Sequence, residues 1–89
     1  MHIEYDLAKT EFNLSKHGVS FEEAASALLD PEALVQEDIY SEEEARWILL
    51  GMSEEIRLIV VVYSLPAEDR IRFISARPAS KAETKYYAR

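Results

Sequence analysis

Lys16-His17-Gly18-Val19-Ser20-Phe21-Glu22-Glu23-Ala24 closes one helix and opens the next. Glycine enters the left-handed conformation at a helix C-terminus without steric penalty, so Gly18 reads as the stop. Ser20, with Glu23 three residues on, reads as a capping box in which each side chain satisfies a free backbone N–H of the following helix. A helix C-terminus favours the charged form of a histidine, which makes His17, beside Lys16, a candidate proton donor.

Upstream of this junction, His2 to Asp6 alternates Ile3 and Tyr5 with polar neighbours, a short strand, and Asp6 caps a helix from Leu7 to His17. Downstream, a helix from Phe21 to Leu29 carries Phe21, Ala24, Ala25 and Leu28 on one stripe, with Glu22, Glu23 and Ser26 outward. Asp30-Pro31 ends it, because the residue before a proline is pushed out of the helical region. Four strands follow. Ala33–Asp38 is weak and expected at a sheet edge, and Ala45–Met52 alternates. Arg57–Ser64 is so apolar and β-branched that both its faces should be buried. Ile71–Arg77 places Ile71, Phe73, Ser75 and Arg77 on one face. Turns fall at Ser53-Glu54-Glu55 and at Pro66–Asp69. A second capping box, Ser80 with Glu83, opens a C-terminal helix through Tyr87. The order β-α-α-β-β-β-β-α predicts one small α+β domain over residues 1–89: an antiparallel sheet, one layer under two N-terminal helices and a C-terminal helix.

Composition sets the compartment. The 89 residues contain no cysteine, so disulfides and thiolate metal sites are excluded and a reducing cytoplasm is expected. The N-terminus lacks the basic and apolar regions of a signal peptide, and the longest apolar run, Leu58–Tyr63, is too short for a membrane span. Net charge is −7, yet it is unevenly distributed. Nine acidic residues and no lysine or arginine lie between Gly18 and Ala45, whereas six basic residues and one acidic lie from Arg70 to Arg89. Such asymmetry predicts an acidic flank and a basic patch facing different partners.

No metal-ligand cluster, Gly-rich phosphate loop or nucleophile elbow appears, and no cofactor is expected. The basic constellation is richer. Lys9, Asn13, Lys16 and His17 share one polar sector of the first helix. Arg77 ends a strand, Lys81, Lys85 and Arg89 follow at helical spacing, and Glu83 and Tyr87 pair at i, i+4 on another face. Cleavage of RNA by its 2′-hydroxyl needs a base, an acid and cations on the phosphate, and arginine's planar fork suits the last role. His17, a lysine or Tyr87 could serve the first two. The plainer alternatives are solvated lysines, a histidine placed by the helix dipole, an Arg46 paired with Glu44, and a tyrosine and Trp47 packed in the core.

Taken together the motifs resemble the BrnT family of type II toxin–antitoxin ribonucleases, whose fold is RelE-like. The matching residues are Asp6-x-x-Lys9-x-x-x-Asn13-x-x-Lys16-His17-Gly18-Val19-Ser20-Phe21-Glu22-Glu23-Ala24, Asp30-Pro31, Glu44-x-Arg46 and Gly51. Ile71-Arg72-Phe73-Ile74-Ser75-Ala76-Arg77-x-Ala79-x-x-x-Glu83-x-x-x-Tyr87 completes them. The resemblance implies a metal-independent endoribonuclease that inhibits translation and growth in the cytoplasm. It implies a BrnA-type antitoxin as partner in a hetero-oligomer, RNA as substrate, operator DNA only through the antitoxin, and no membrane. By position it makes Lys9, His17, Arg46, Arg77 and Tyr87 catalytic candidates, with Lys16, Lys81 and Lys85 as RNA contacts. Its last helix is thinner in arginine than is common in the family. That feature fits an alternative: a catalytically weak or inactive binding module acting through its antitoxin and operon repression.

Overall fold

The computed structural model describes residues 2–42 and 44–88. Its elements are β1 (His2–Glu4), α1 (Leu7–His17), α2 (Phe21–Ala27), β2 (Leu34–Asp38), β3 (Arg46–Met52), β4 (Leu58–Ala67), β5 (Arg70–Pro78) and α3 (Lys81–Tyr87), in the expected order. One sheet runs β1-β5-β4-β3-β2. β2 to β5 form an antiparallel meander with β2 at its edge, while β1 pairs parallel to β5 through Ile3 opposite Ile71, which departs from an all-antiparallel sheet. β4 is central, and Ile59, Val60 and Val61 are buried in succession, so both its faces are covered.

On one face Leu49, Ile59, Val61, Tyr63, Ile71 and Phe73 pack against Val19, Phe21, Ala24 and Ala27. Tyr5, Phe21 and Phe73 close this core as a ring cluster, with centroids 5.6 to 6.3 Å apart. The opposite face presents Ile48, Leu50 and Val60 to Glu83 and Tyr86 of α3. Helices therefore cover both faces of the sheet rather than one. Among the described residues, no helix is long and apolar enough to cross a membrane.

The junction behaves as its residues dictate, with one inversion. Gly18 is left-handed (φ 75°) and caps α1 by donating its N–H to the Leu14 carbonyl. The Ser20 hydroxyl accepts the Glu23 N–H, but the Glu23 carboxylate does not complete the box. It turns inward instead, where the Arg57 guanidinium grips both its oxygens at 2.6 and 2.7 Å and the Ser53 hydroxyl donates at 2.6 Å. A second Arg57 contact donates to the Gly18 carbonyl. Glu23, expected outward, is thus buried, and α2 ends at Ala27, two residues short of Leu29. Asn13 also turns inward: its amide donates to the carbonyls of Val19 and Ala76 and accepts from the Ala76 N–H. A β-bulge adds a further departure. Tyr63 faces Phe73 and Val62 faces Ser75, so Ile74 has no counterpart and the alternation slips by one. Ala76 takes the core face, and Arg77, opposite Val60, turns to the α3 side rather than staying in phase with Phe73.

Two expectations follow. Asn13→Ala leaves three buried backbone groups without partners and should cost about 3 kcal/mol in urea unfolding. The Arg57 guanidinium, then the Ser53 hydroxyl, hold the Glu23 carboxyl below its ordinary value of 4.5 against the opposing effect of burial. A depressed carboxyl stabilises the fold above its unfolded pKa and loses that contribution as pH falls through the folded one. The stability gap between the native chain and Glu23→Gln should therefore be full at pH 6 to 7 and shrink below about pH 4.5 in pH-dependent melting.

Candidate active site

Two elements and a row of strand residues form one groove. Asp6 caps α1 by accepting the Lys9 N–H, and the following turns bring Lys9, Phe12, Lys16 and His17 to the groove wall. The sheet side supplies Arg46 from β3 and Arg72 with Ser75 from β5, around an open volume of about 870 Å³. Lys16 holds its ammonium 5.8 Å from the centroid of the exposed Phe12 ring, a cation–π contact that fixes the charge at the rim. Asp6 and Glu44 also line the groove, so its charge is mixed, with cations in excess.

Sheet register sets the spacing of the two arginines. Arg46 faces Ser64, and Ser64 faces Arg72, which puts two guanidinium stems on either side of one hydroxyl across three strands. Glu4 occupies Arg72 through bonds of 2.8 and 2.9 Å, lowering its own carboxyl pKa and raising that of the arginine. Glu4 also reaches Arg70 at 3.5 Å. Arg57 is taken by Glu23 and Arg77 by Glu83. Among the described residues Arg46 is the arginine with no carboxylate partner, and its Nε, like the Ser64 Oγ, is buried without a hydrogen bond. Burying a polar group without a partner is unfavourable, so a ligand that presents oxygen to this guanidinium is favoured.

The remaining sequence candidates stand elsewhere. Arg77 lies opposite Val60, four residues along β4 from Ser64, roughly 13 Å away at ordinary strand rise. Its fork grips Glu83 in bidentate fashion, both bonds 2.9 Å. That pair, with the Ser80 backbone N–H, drives the Glu83 carboxyl down to about 2. Glu83 completes the second capping box as expected, but it pairs with Arg77 and not with Tyr87. The Tyr87 hydroxyl donates to Asp30 at 2.6 Å, and that bond, with the desolvation and charge around it, raises its pKa to about 12. Asp30 also accepts from the backbone N–H groups of Met52 and Glu32, so Asp30, past the end of α2, anchors α3. Lys81 and Lys85 are exposed on α3.

The structure therefore gathers Lys9, Lys16, His17 and Arg46 and leaves Arg77, Tyr87, Lys81 and Lys85 outside that groove. It adds Phe12 and Arg72. Arg72 was readable as the outward partner of Ile71 and Phe73, and Phe12 as the i−4 neighbour of Lys16. Among the described residues no three of His, Cys, Asp and Glu gather as metal ligands.

The structure is a short α+β domain with arginine, lysine and histidine converging on one open groove, cations of the kind that suit an anionic ligand. Residues 5–83 match the sequence profile of the ribonuclease toxin BrnT of type II toxin–antitoxin systems, and the chain belongs to that family. The crystal structure of the Brucella abortus ribonuclease toxin BrnT is similar, with a TM-score of 0.70 at 25% identity over 91% of this chain and 99% of that one. No functionally curated protein matches the chain.

The Tyr87 geometry makes a spectroscopic prediction. Asp30→Asn removes the charge that holds the phenol protonated, so ultraviolet titration should show one tyrosine moving from about 12 toward its ordinary 10.

Proposed function

We propose that this chain is a metal-independent endoribonuclease whose chemistry resides in the α1 groove. The carrying observation is Arg46: an unpaired guanidinium beside Lys9, Lys16 and His17 in a groove open to a strand of RNA. Its fork takes the non-bridging oxygens of one phosphate, and Lys16 adds charge at the rim. The RNA 2′ oxygen attacks phosphorus and the bond to the 5′ oxygen breaks, leaving a 2′,3′-cyclic phosphate and a 5′-hydroxyl. Lys9 and His17 carry the two protons, one taken from the 2′-hydroxyl and one given to the leaving oxygen. Negative charge developing on the phosphate meets cations already in place, which is where such a site gains most of its rate. Phe12 offers a ring on which a base can stack.

Arg77, held by Glu83, and Lys81 and Lys85 lie farther along the sheet toward α3, where they extend the path of the RNA backbone. Tyr87, donating to Asp30, is an anchor in this reading and not a base. Cleavage arrests translation in the cytoplasm. A BrnA-type antitoxin neutralises the chain in a hetero-oligomer, and contact with operator DNA runs through that partner.

The test is cleavage of single-stranded RNA in EDTA by the purified chain. Arg46→Ala and Lys9→Ala should each lower the rate about 100-fold or more while melting as the native chain does. Arg77→Ala should stay within about 10-fold, and its loss of all cleavage in a folded protein would move the reaction centre to the Arg77 end of the sheet. No cleavage by the folded, partner-free native chain would favour the binding module.

A further inference from the structure

A second groove, of about 690 Å³, lies on the sheet face that carries α2. Its floor takes one side chain from every strand, from Ile3 on β1 through Tyr63 on β4 to Val35 on β2. One wall is the flank of α2, with Leu28 and Leu29 in the turn that follows it. The floor at its centre belongs to the core, with Leu49, Tyr63 and Ile71 buried, while the apolar groups at its rim are bare: Leu29 is 83% exposed, Val35 50% and Ile3 40%. Neighbouring apolar side chains left in water form a patch of the kind that marks an interaction surface. The charged residues lining it are Glu22 and Glu54, and no lysine, arginine or histidine lines it. The cations of the α1 groove are absent here, and the long acidic stretch between Gly18 and Ala45 supplies the wall.

We infer that this groove is the docking site of an amphipathic helix whose apolar stripe is flanked by lysine or arginine, supplied by a partner protein. The inference rests on the type II toxin reading, in which that partner is the antitoxin. The five strands of the floor span roughly 19 Å, the length of a helix of about 13 residues. A helix laid beside α2 would extend the existing helical layer and cover the exposed side chains at its rim, Ile3 and Val35 on the two edge strands and Leu29 beyond α2. Charge selects the occupant. RNA is repelled by Glu22 and Glu54, and a second copy would bring its own net charge of −7 against them. A basic helix gains from both carboxylates, and its stripe covers Leu29 and Val35. Docking here leaves the Arg46 groove free of direct contact, so neutralisation would act by partner residues reaching round the sheet edge or by blocking the approach of the substrate.

The experiment measures binding of the full-length cognate antitoxin to the full-length chain by calorimetry, at 50 mM and 500 mM salt. Glu22→Lys with Glu54→Lys should weaken binding at least 10-fold at low salt and by much less at high salt. Leu29→Asp, at an already exposed position, should weaken it at least 10-fold at both. Lys9→Ala should bind as the native chain does. Groove variants that keep the native melting temperature and bind within two-fold overturn the docking site alone. A native chain that binds no antitoxin overturns the partnership as well. Self-association of the native chain that Leu29→Asp abolishes would assign the groove to a second copy and overturn the basic-helix assignment.

Discussion

A buried carboxylate ties the two halves of this chain together. Glu23 sits in the first turn of α2 with 6% of its surface exposed, where an unpaired charge would be costly. Arg57 and Ser53, both from the β3–β4 connection, satisfy it, and the same guanidinium reaches back to the Gly18 carbonyl. The interaction interlocks a helix–helix junction with a strand–strand hairpin, so neither can shift without exposing the other's polar groups. His17 is the residue before Gly18, and its place at the groove wall is inherited from this lock.

The middle of α1 is held in the same manner. Its one buried residue is Asn13, while Leu7, Phe12 and Leu14 stay exposed. The helix is therefore attached by hydrogen bonds to β5 and the α1–α2 junction rather than by an apolar stripe. That attachment explains how a helix can present Lys9, Lys16 and His17 to one groove without sinking them. The bulge at Ile74 serves the same geometry, since it turns Ala76 inward, where its backbone meets Asn13.

What could be read in the sequence was what neighbours along the chain determine. Helix limits at His17 and Gly18, the second capping box, the edge placement of β2 and the central placement of β4 follow from local periodicity and capping chemistry. So does the grouping of Lys9, Lys16 and His17, because helical spacing alone places them together. What could not be read depends on distant partners. Glu23 turns inward for an arginine 34 residues away, Tyr87 finds Asp30 across 57, and Asn13 meets Ala76 across 63. A bulge shifts every later side chain by one position, and no property of Ile74 announces it. Arg46 was legible as a cation, but its freedom from carboxylates came only from seeing every other described arginine matched.

On the proposed function, that matching also accounts for how a chain of net charge −7 would hold a polyanion. Electrostatic reach between exposed charges is limited to about 8 Å at physiological salt, so what matters is which charges remain unpaired at one place and not the total. Glu4 occupies Arg70 and Arg72, Glu23 occupies Arg57, and Glu83 occupies Arg77. Arg46 alone among these keeps its fork for an external anion, beside the lysines of α1. The acidic excess is spent on holding structural arginines and on the stretch between Gly18 and Ala45. The Glu22 and Glu54 carboxylates of the second groove are built into the α2 side of the sheet, away from the cations of α1. In the proposed reading, like-charge repulsion there disfavours a phosphate backbone, which the cations of the α1 groove attract. By the same reading a small acidic protein holds RNA in one groove, because there the Arg46 fork is left without a carboxylate partner among the described residues even though Asp6 and Glu44 line the same groove.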